Sequence, residues 1–270
     1  MKPFHIGANN CVVSGITSHH NQDTGIQVSR IVSSQYTIDT WPANNLIIDC
    51  EAYDNCDPAM QNADGFASKL TVGYNNVFED CVSHHNLDDG WDCYTKLSTG
   101  PIGAITLENC ISYRNGIELK EDGTETPWAS ATASGNGFKV GGENIMVAHY
   151  LKDCKAFGNR ANGVDSNNNP GFKVRNVICM DNLGSNFALY SGSGVVLTDS
   201  DGNSREPSTL PGGKNRPYKF NYDFKGCISI TGSAADQIGS LTDDVIYGNA
   251  NDTPLENESN YFIYTKGANA

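Results

Sequence analysis

The chain has 270 residues, with 18 Lys plus Arg against 31 Asp plus Glu and a formal net charge of -13. So acidic a surface repels phosphate and excludes nucleic acid as an expected partner. No apolar span is long enough to cross a bilayer as a helix and no signal-peptide core follows Met1, so neither a membrane protein nor an intact secretory precursor is expected.

Taken in chain order, the sequence repeats when it is aligned on asparagine. Five positions before Asn55, Asn86, Asn115 and Asn159 stand Cys50, Cys81, Cys110 and Cys154, and Ile16 and Val177 hold the equivalent places before Asn21 and Asn182. After each asparagine comes a variable loop and then a short glycine-led run: T-G-I-Q-V at 24–28, D-G-F-A-S at 64–68, D-G-W-D-C at 89–93, N-G-F-K-V at 136–140 and N-G-V-D-S at 162–166. Neighbouring members of the cysteine column are 31, 29, 44 and 23 residues apart, so loop length varies around a constant core. That is the mark of a solenoid, whose repeats bury their apolar faces only by stacking. L-I-I-D-C-E-A-Y, N-V-F-E-D-C-V-S and I-T-L-E-N-C-I-S alternate apolar and polar residues, so they read as strands with one face inward. The expected fold is all-β, a parallel β-helix over 1–270 as a single domain, with adjacent coils about 4.8 Å apart.

The asparagine column reads as structural. Asn tolerates the left-handed backbone of a sharp corner, and its amide can bond to the amides above and below. The cysteines number nine, form no C-x-x-C pair and stand where an inward apolar side chain belongs, so buried free thiols are expected. The opening run, K-P-F-H-I-G-A-N-N, already resembles the middle of a coil, which implies a solenoid lacking its N-terminal cap. Insertions at about 116–135 and 199–220 interrupt the rhythm and are expected to wall a binding face. Trp128, in the first, is either a sugar platform or a packing plug. From about 236 to 270 the repeat fades into an expected irregular cap.

The chemistry concentrates in one column. The residue before the glycine is Asp64 and then Asp89, with Asp88 beside it; the residue two after the glycine is Asp92, then Lys139, then Asp165. An Asp-Gly pair alone is an ordinary turn dipeptide. Carboxylates repeated on stacked coils, however, repel one another unless a cation neutralises them. Asp64, Asp88, Asp89 and Asp92 offer hard oxygen ligands, which points to calcium. The His pairs His19, His20 and His84, His85 raise zinc as an alternative.

The segments N-A-D-G-F-A-S-K-L (62–70), H-H-N-L-D-D-G-W-D-C-Y-T-K (84–96), N-G-F-K-V-G-G (136–142) and A-F-G-N-R-A-N-G-V-D-S-N-N-N-P-G (156–171) together resemble the core of pectate lyases of polysaccharide lyase family 9, over about 1–190. The resemblance implies a right-handed helix, a secreted enzyme, Ca2+ held by Asp64, Asp88, Asp89 and Asp92, and Lys139 as base. It implies β-elimination on a galacturonate-containing polysaccharide, polygalacturonate or rhamnogalacturonan, by a monomer. A lysine base must be neutral to accept a proton, so activity is expected to rise toward alkaline pH. Lys96, Arg160 and Lys173 are candidate contacts for further uronates. Two alternatives stand beside this reading: a β-helical glycoside hydrolase acting through paired carboxylates, and a non-catalytic carbohydrate-binding solenoid with structural calcium.

Overall fold

The computed structural model describes residues 4–189 apart from 35, 36, 97, 131 and 170, together with 223–234 and 236; strands at 197–198, 204–205, 245–248 and 262–265 are described by backbone alone. Most of the 199–220 insertion and of the expected cap over 236–270 therefore lies outside the described residues.

Strands only two to four residues long stack into three parallel sheets. The first runs Phe4–Ile6, Ile26–Val28, Phe66–Ser68, Trp91–Asp92, Phe138–Lys139, Val164–Asp165 and Phe187–Ala188 in spatial order. The second begins at Val12–Ser14 and continues through Leu46–Ile48, Asn76–Glu79, Ile105–Glu108, Tyr150–Lys152, Lys173–Arg175 and Asp223–Lys225. The third contains Thr17–His19, Glu51–Tyr53, Val82–His84, Ile111–Tyr113, Lys155–Phe157, Ile178–Met180 and Ile228–Ile230, and is extended by Phe262–Thr265 and Val245–Gly248. Each chain circuit crosses the three in turn, which is the parallel β-helix expected from the repeat. Among the described residues the helical content is one 3-10 turn, Ile38–Thr40.

Strand alternation decides what fills the interior. In the first sheet Phe66, Trp91, Phe138, Val164 and Phe187 lie in one register line and point inward, all fully buried. Phe66 and Phe138 stack on either side of Trp91 at 4.6 and 5.0 Å, with Phe78 from the second sheet edge-on to Phe66. Such pairs contribute about 0.5–1.5 kcal/mol each beyond the area they bury. Cys50, Cys81, Cys110 and Cys154 lie in the same core, and all nine cysteines are free thiols. Their buried S–H groups lean on backbone carbonyls, as Cys81 does on Glu79 O at 3.2 Å.

The asparagine column forms the amide ladder, but the left-handed residue is its predecessor. Asn21, Asn55, Asn86, Asn115, Asn159 and Asn182 donate in series, each Nδ2 to the next Oδ1 at 2.8–3.1 Å, and the last to Asn186. Positive φ falls instead on His20, Asp54, His85, Arg114, Gly158 and Asp181. The asparagine must aim its amide inward, so the preceding residue makes the turn.

Candidate active site

The amide ladder positions the acidic corners. Asn86 Nδ2 donates to Ser83 Oγ, which donates to Gly90 O at 3.0 Å; one coil on, Asn115 Nδ2, Ser112 Oγ and Gly137 O repeat the chain. A Cβ at Gly90 would stand 2.0 Å from Ser112 Oγ and 2.6 Å from Gly137 O, so only glycine lets the corner seat this closely. Asp89 immediately precedes that glycine and Asp64 precedes Gly65, which fixes both carboxylates at the entrance to the first sheet. The outward register line is Ala67, Asp92, Lys139, Asp165 and Ala188, which brings Asp92 and Lys139 side by side.

Asp64, Asp88 and Asp89 each bring a ligand oxygen within 4.8 Å of the others, and all three are buried. Asp88 Oδ1 accepts from Ser134 N at 2.6 Å, and Asp89 Oδ1 from Asn136 N and Nδ2 at 2.8 and 2.9 Å. The first insertion thus delivers both the backbone that fixes the acidic corner and the strand that carries Lys139. Asp64 Oδ1 accepts from Asp89 N at 3.2 Å, tying the two coils together. Asp92 lies beside this group, next to two lysines. Lys139 Nζ sits 2.9 Å from Asp89 Oδ2 and 3.5 Å from Asp92 Oδ1, with the Tyr94 ring centroid at 5.8 Å. Lys69 Nζ bridges Asp64 Oδ2 at 2.7 Å and Asp92 Oδ2 at 3.0 Å.

Burial dominates the electrostatics. It pushes the Asp64 carboxyl up to about 7 against the pull of Lys69, and Asp88 up to about 9 with Asp89 and Asp64 adding to the rise. Burial works the same way on Asp92, but Lys139 and Lys69 outweigh it and hold that carboxyl below the usual range. Lys139 is the reverse case: burial disfavours its ammonium, yet Asp89, Asp92, Asp88 and Asp64 together keep it charged well above the ordinary lysine range. Carboxyls that hold protons this high form a site short of positive charge. Asp92 Oδ1 is also buried with no hydrogen bond of its own. A hard divalent cation fits this all-oxygen donor set, and calcium tolerates its irregular geometry.

Of the remaining candidates, Asp165 stands beside Lys139 in the first sheet and the others fall elsewhere. Asp165 is held by Asn162 Nδ2 at 2.8 Å and Asn167 N at 2.6 Å. Arg160 donates to Trp128 O at 3.0 Å and Ser130 O at 3.4 Å, so its guanidinium fastens the first insertion. Lys173 lies exposed on the second sheet, away from the acidic column. Lys96 is exposed in the loop after Asp92, with a backbone bridge to Gly100. Trp128 packs against the small cluster of Ala63, Leu87 and Ala133, as a plug does. His19, Tyr53, His84, Tyr113 and Phe157 stack face to face at 4.7–5.0 Å along the third sheet, and among the described residues no histidine joins a metal-holding group. Sequence reasoning missed Lys69. Its signal was the continued alternation of F-A-S-K, which turns residue 69 outward like residue 67.

A family model described as "Pel9A-like, right handed beta helix region" matches residues 1–203. Pectate lyase L of Paenibacillus polymyxa is 45% identical over 73% of this chain and 42% of the relative. Pectate lyase L of Thermoclostridium stercorarium is 42% identical over 85% of this chain and 18% of the relative. Pectate disaccharide-lyase of Dickeya chrysanthemi is 38% identical over 97% and 28%. The chain therefore spans less than half the length of each of these curated relatives. Among solved structures, the crystal structure of pectate lyase Pel9A superposes with a TM-score of 0.61 at 26% identity, covering 86% of this chain and 48% of that one. A rhamnogalacturonan lyase, at 22% identity and a TM-score of 0.57 over 84% and 50%, shares the fold. With parallel sheets, acidic corners and a family match over three quarters of its length, the chain belongs to the Pel9A-like right-handed β-helix family.

Proposed function

We propose that the chain is the catalytic part of a lyase that cleaves galacturonate-containing pectic polysaccharide by β-elimination, with Lys139 as base and Asp64, Asp88, Asp89 and Asp92 as calcium ligands. The observation that carries this is Lys139 Nζ lying 2.9 Å from Asp89 Oδ2, beside three buried carboxylates that converge within 4.8 Å. Calcium bound there would act as a Lewis acid on the uronate carboxylate, which acidifies the adjacent C5 proton and stabilises the anion left behind. Asp64, Asp88 and Asp89 would hold the ion, and Asp92 would complete the set while orienting the Lys139 amine. Burial is the largest single influence on Lys139, and the acidic neighbours oppose it. Once their negative charge is balanced, burial favours the neutral amine that a base requires. Lys139 Nζ then takes the C5 proton, the C4–O4 bond breaks, and a C4–C5 double bond remains in the product. The leaving O4 acquires a proton from water. A polymer of this size is met outside the cell, so the reading places the protein there.

Ultraviolet absorbance of the conjugated product, followed on de-esterified polygalacturonate with calcium and then with a chelator, tests this. Lys139→Ala should lower the rate by about 10²–10⁴ or more, the usual worth of a positioned base, while calcium still binds. Chain cleavage without the new chromophore would mean a hydrolase, and binding without cleavage a carbohydrate-binding module; either result ends the lyase reading.

A further inference from the structure

Lys69 occupies the cluster that the divalent cation would enter. It leaves the end of the strand Phe66–Ser68 on the outward face and spans two coils, with Nζ 2.7 Å from Asp64 Oδ2 and 3.0 Å from Asp92 Oδ2. The two lysines divide the carboxylates between them. Lys139 takes Asp89 and the free edge of Asp92, whereas Lys69 takes Asp64, the one ligand supplied by the preceding coil. The Asp64 side chain is fully buried, and its Oδ1 already accepts the Asp89 N–H. Its Oδ2 is thus the oxygen not committed to the backbone, and it is the one under the Lys69 ammonium. An ammonium and a divalent ion drawing on that oxygen together would repel at close range. The Lys69 side chain is 18% exposed, so the flexible four-carbon stem has a way out into solvent.

We propose that Lys69 is a tethered counter-ion: it holds Asp64 and Asp92 while the site lacks a divalent cation, gives way when one binds, and only then takes a uronate carboxylate of the substrate. Metal binding thereby gates a substrate contact, and the order of events is cation first, polysaccharide second. The inference rests on the calcium site of the proposed function.

Reductive methylation of the full chain, read by peptide mass spectrometry, tests it in chelator, in calcium, and in calcium with polygalacturonate. Lys69 should be protected in chelator, become several-fold more reactive in calcium, and be protected again by the polymer, while exposed Lys155 stays constant. Calorimetry supplies the second arm. Lys69→Met should bind calcium about tenfold more tightly, having lost the competing charge, and Lys69→Arg should not. Lys69 reactivity indifferent to calcium, or a Lys69→Met affinity equal to or weaker than that of the parent, overturns the displacement and leaves the lyase reading standing. Failure of the polymer to protect Lys69 again overturns its role as a uronate contact. Absence of calcium binding by the parent chain overturns both proposals.

Discussion

His149 shows how one buried residue sets the response of the fold to pH. It precedes the strand Tyr150–Lys152, is fully buried, and accepts the Ile105 N–H at Nδ1 at 3.2 Å, while Nε2 has no hydrogen-bond partner. Burial pushes its pKa down to about 3. The imidazole is therefore neutral in the fold and becomes charged only when the chain unfolds. A depressed folded pKa gives stability that is complete above the unfolded value, about 6.5, and drains away as pH falls toward the folded one. Between pH 7 and pH 5 this group alone should remove about 2 kcal/mol. Asp64 and Asp88, raised to about 7 and about 9, work in the opposite sense, so the net slope mixes several groups. The comparison that isolates His149 is urea denaturation of the parent and of His149→Gln at both pH values. The variant should be less stable at pH 7 yet lose about 2 kcal/mol less on acidification; equal slopes would exclude a buried neutral imidazole.

At the scale of the element, the amide ladder is the part whose loss should spread furthest. Asn86 donates to Ala52 O, Ser83 Oγ and Asn115 Oδ1 and accepts from Asn55 Nδ2, all within buried surroundings. Asn86→Ala strands partners on the coils above and below, and each unsatisfied buried group costs about 1–3 kcal/mol. We expect a loss of about 2–4 kcal/mol in chemical denaturation, together with weaker calcium binding, because Asn86 lies directly beneath the Asp64–Gly65 corner. A loss of stability with unaltered calcium affinity would mean that the ladder supports the coil but not the site. The ladder, the cysteine column and the first-sheet strands were legible in sequence because each repeats once per coil, and stacking turns a repeated position into a line. The left-handed corners were less so. One set falls on His20, Asp54, His85, Arg114, Gly158 and Asp181, too mixed to read from composition. The other, Asp49, Asp80, Asn109, Asp153 and Asn176, does carry the Asn/Asp signature of left-handed backbone and was open to reading just before the cysteine column. Asp64, Asp88, Asp89, Asp92 and Lys139 could be gathered because they fall in or beside the repeated columns. Lys69 escaped because its role depends on a side chain reaching forward to Asp92 on the next coil, and register shows only that the residue faces outward. Arg160 and Lys173 stood out only as charges, and the fold spends the first on the insertion and places the second on another sheet.

For the whole molecule, the balance of forces is set by its acidity and by where that acidity is stored. A formal charge of -13 spread over a solenoid surface is screened within about 8 Å at physiological ionic strength. The exception is the corner where Asp64, Asp88 and Asp89 are buried together, beyond the reach of screening by mobile ions. Those residues come from adjacent coils, joined in the first sheet by the pairing of Trp91 with Phe66 and of Asp92 with Ala67. A divalent cation held there would link the coils as well as neutralise them, so calcium should stabilise the entire stack. At a free calcium concentration one hundred times the dissociation constant, mass action gives about 2.7 kcal/mol. For a chain of this length that corresponds to a rise in Tm of about 5–10 °C, reversed by chelator. Magnesium, which demands a stricter octahedron and surrenders its water reluctantly, should shift Tm far less. Asp89→Asn removes the carboxylate that both lines the site and pairs with Lys139, and should abolish the calcium-dependent part of the shift. If calcium instead raised Tm equally in Asp89→Asn, the stabilisation would arise from general screening of the acidic surface. The same rise would then follow from monovalent salt at matched ionic strength, so sodium chloride is the control that separates a built site from a charged surface.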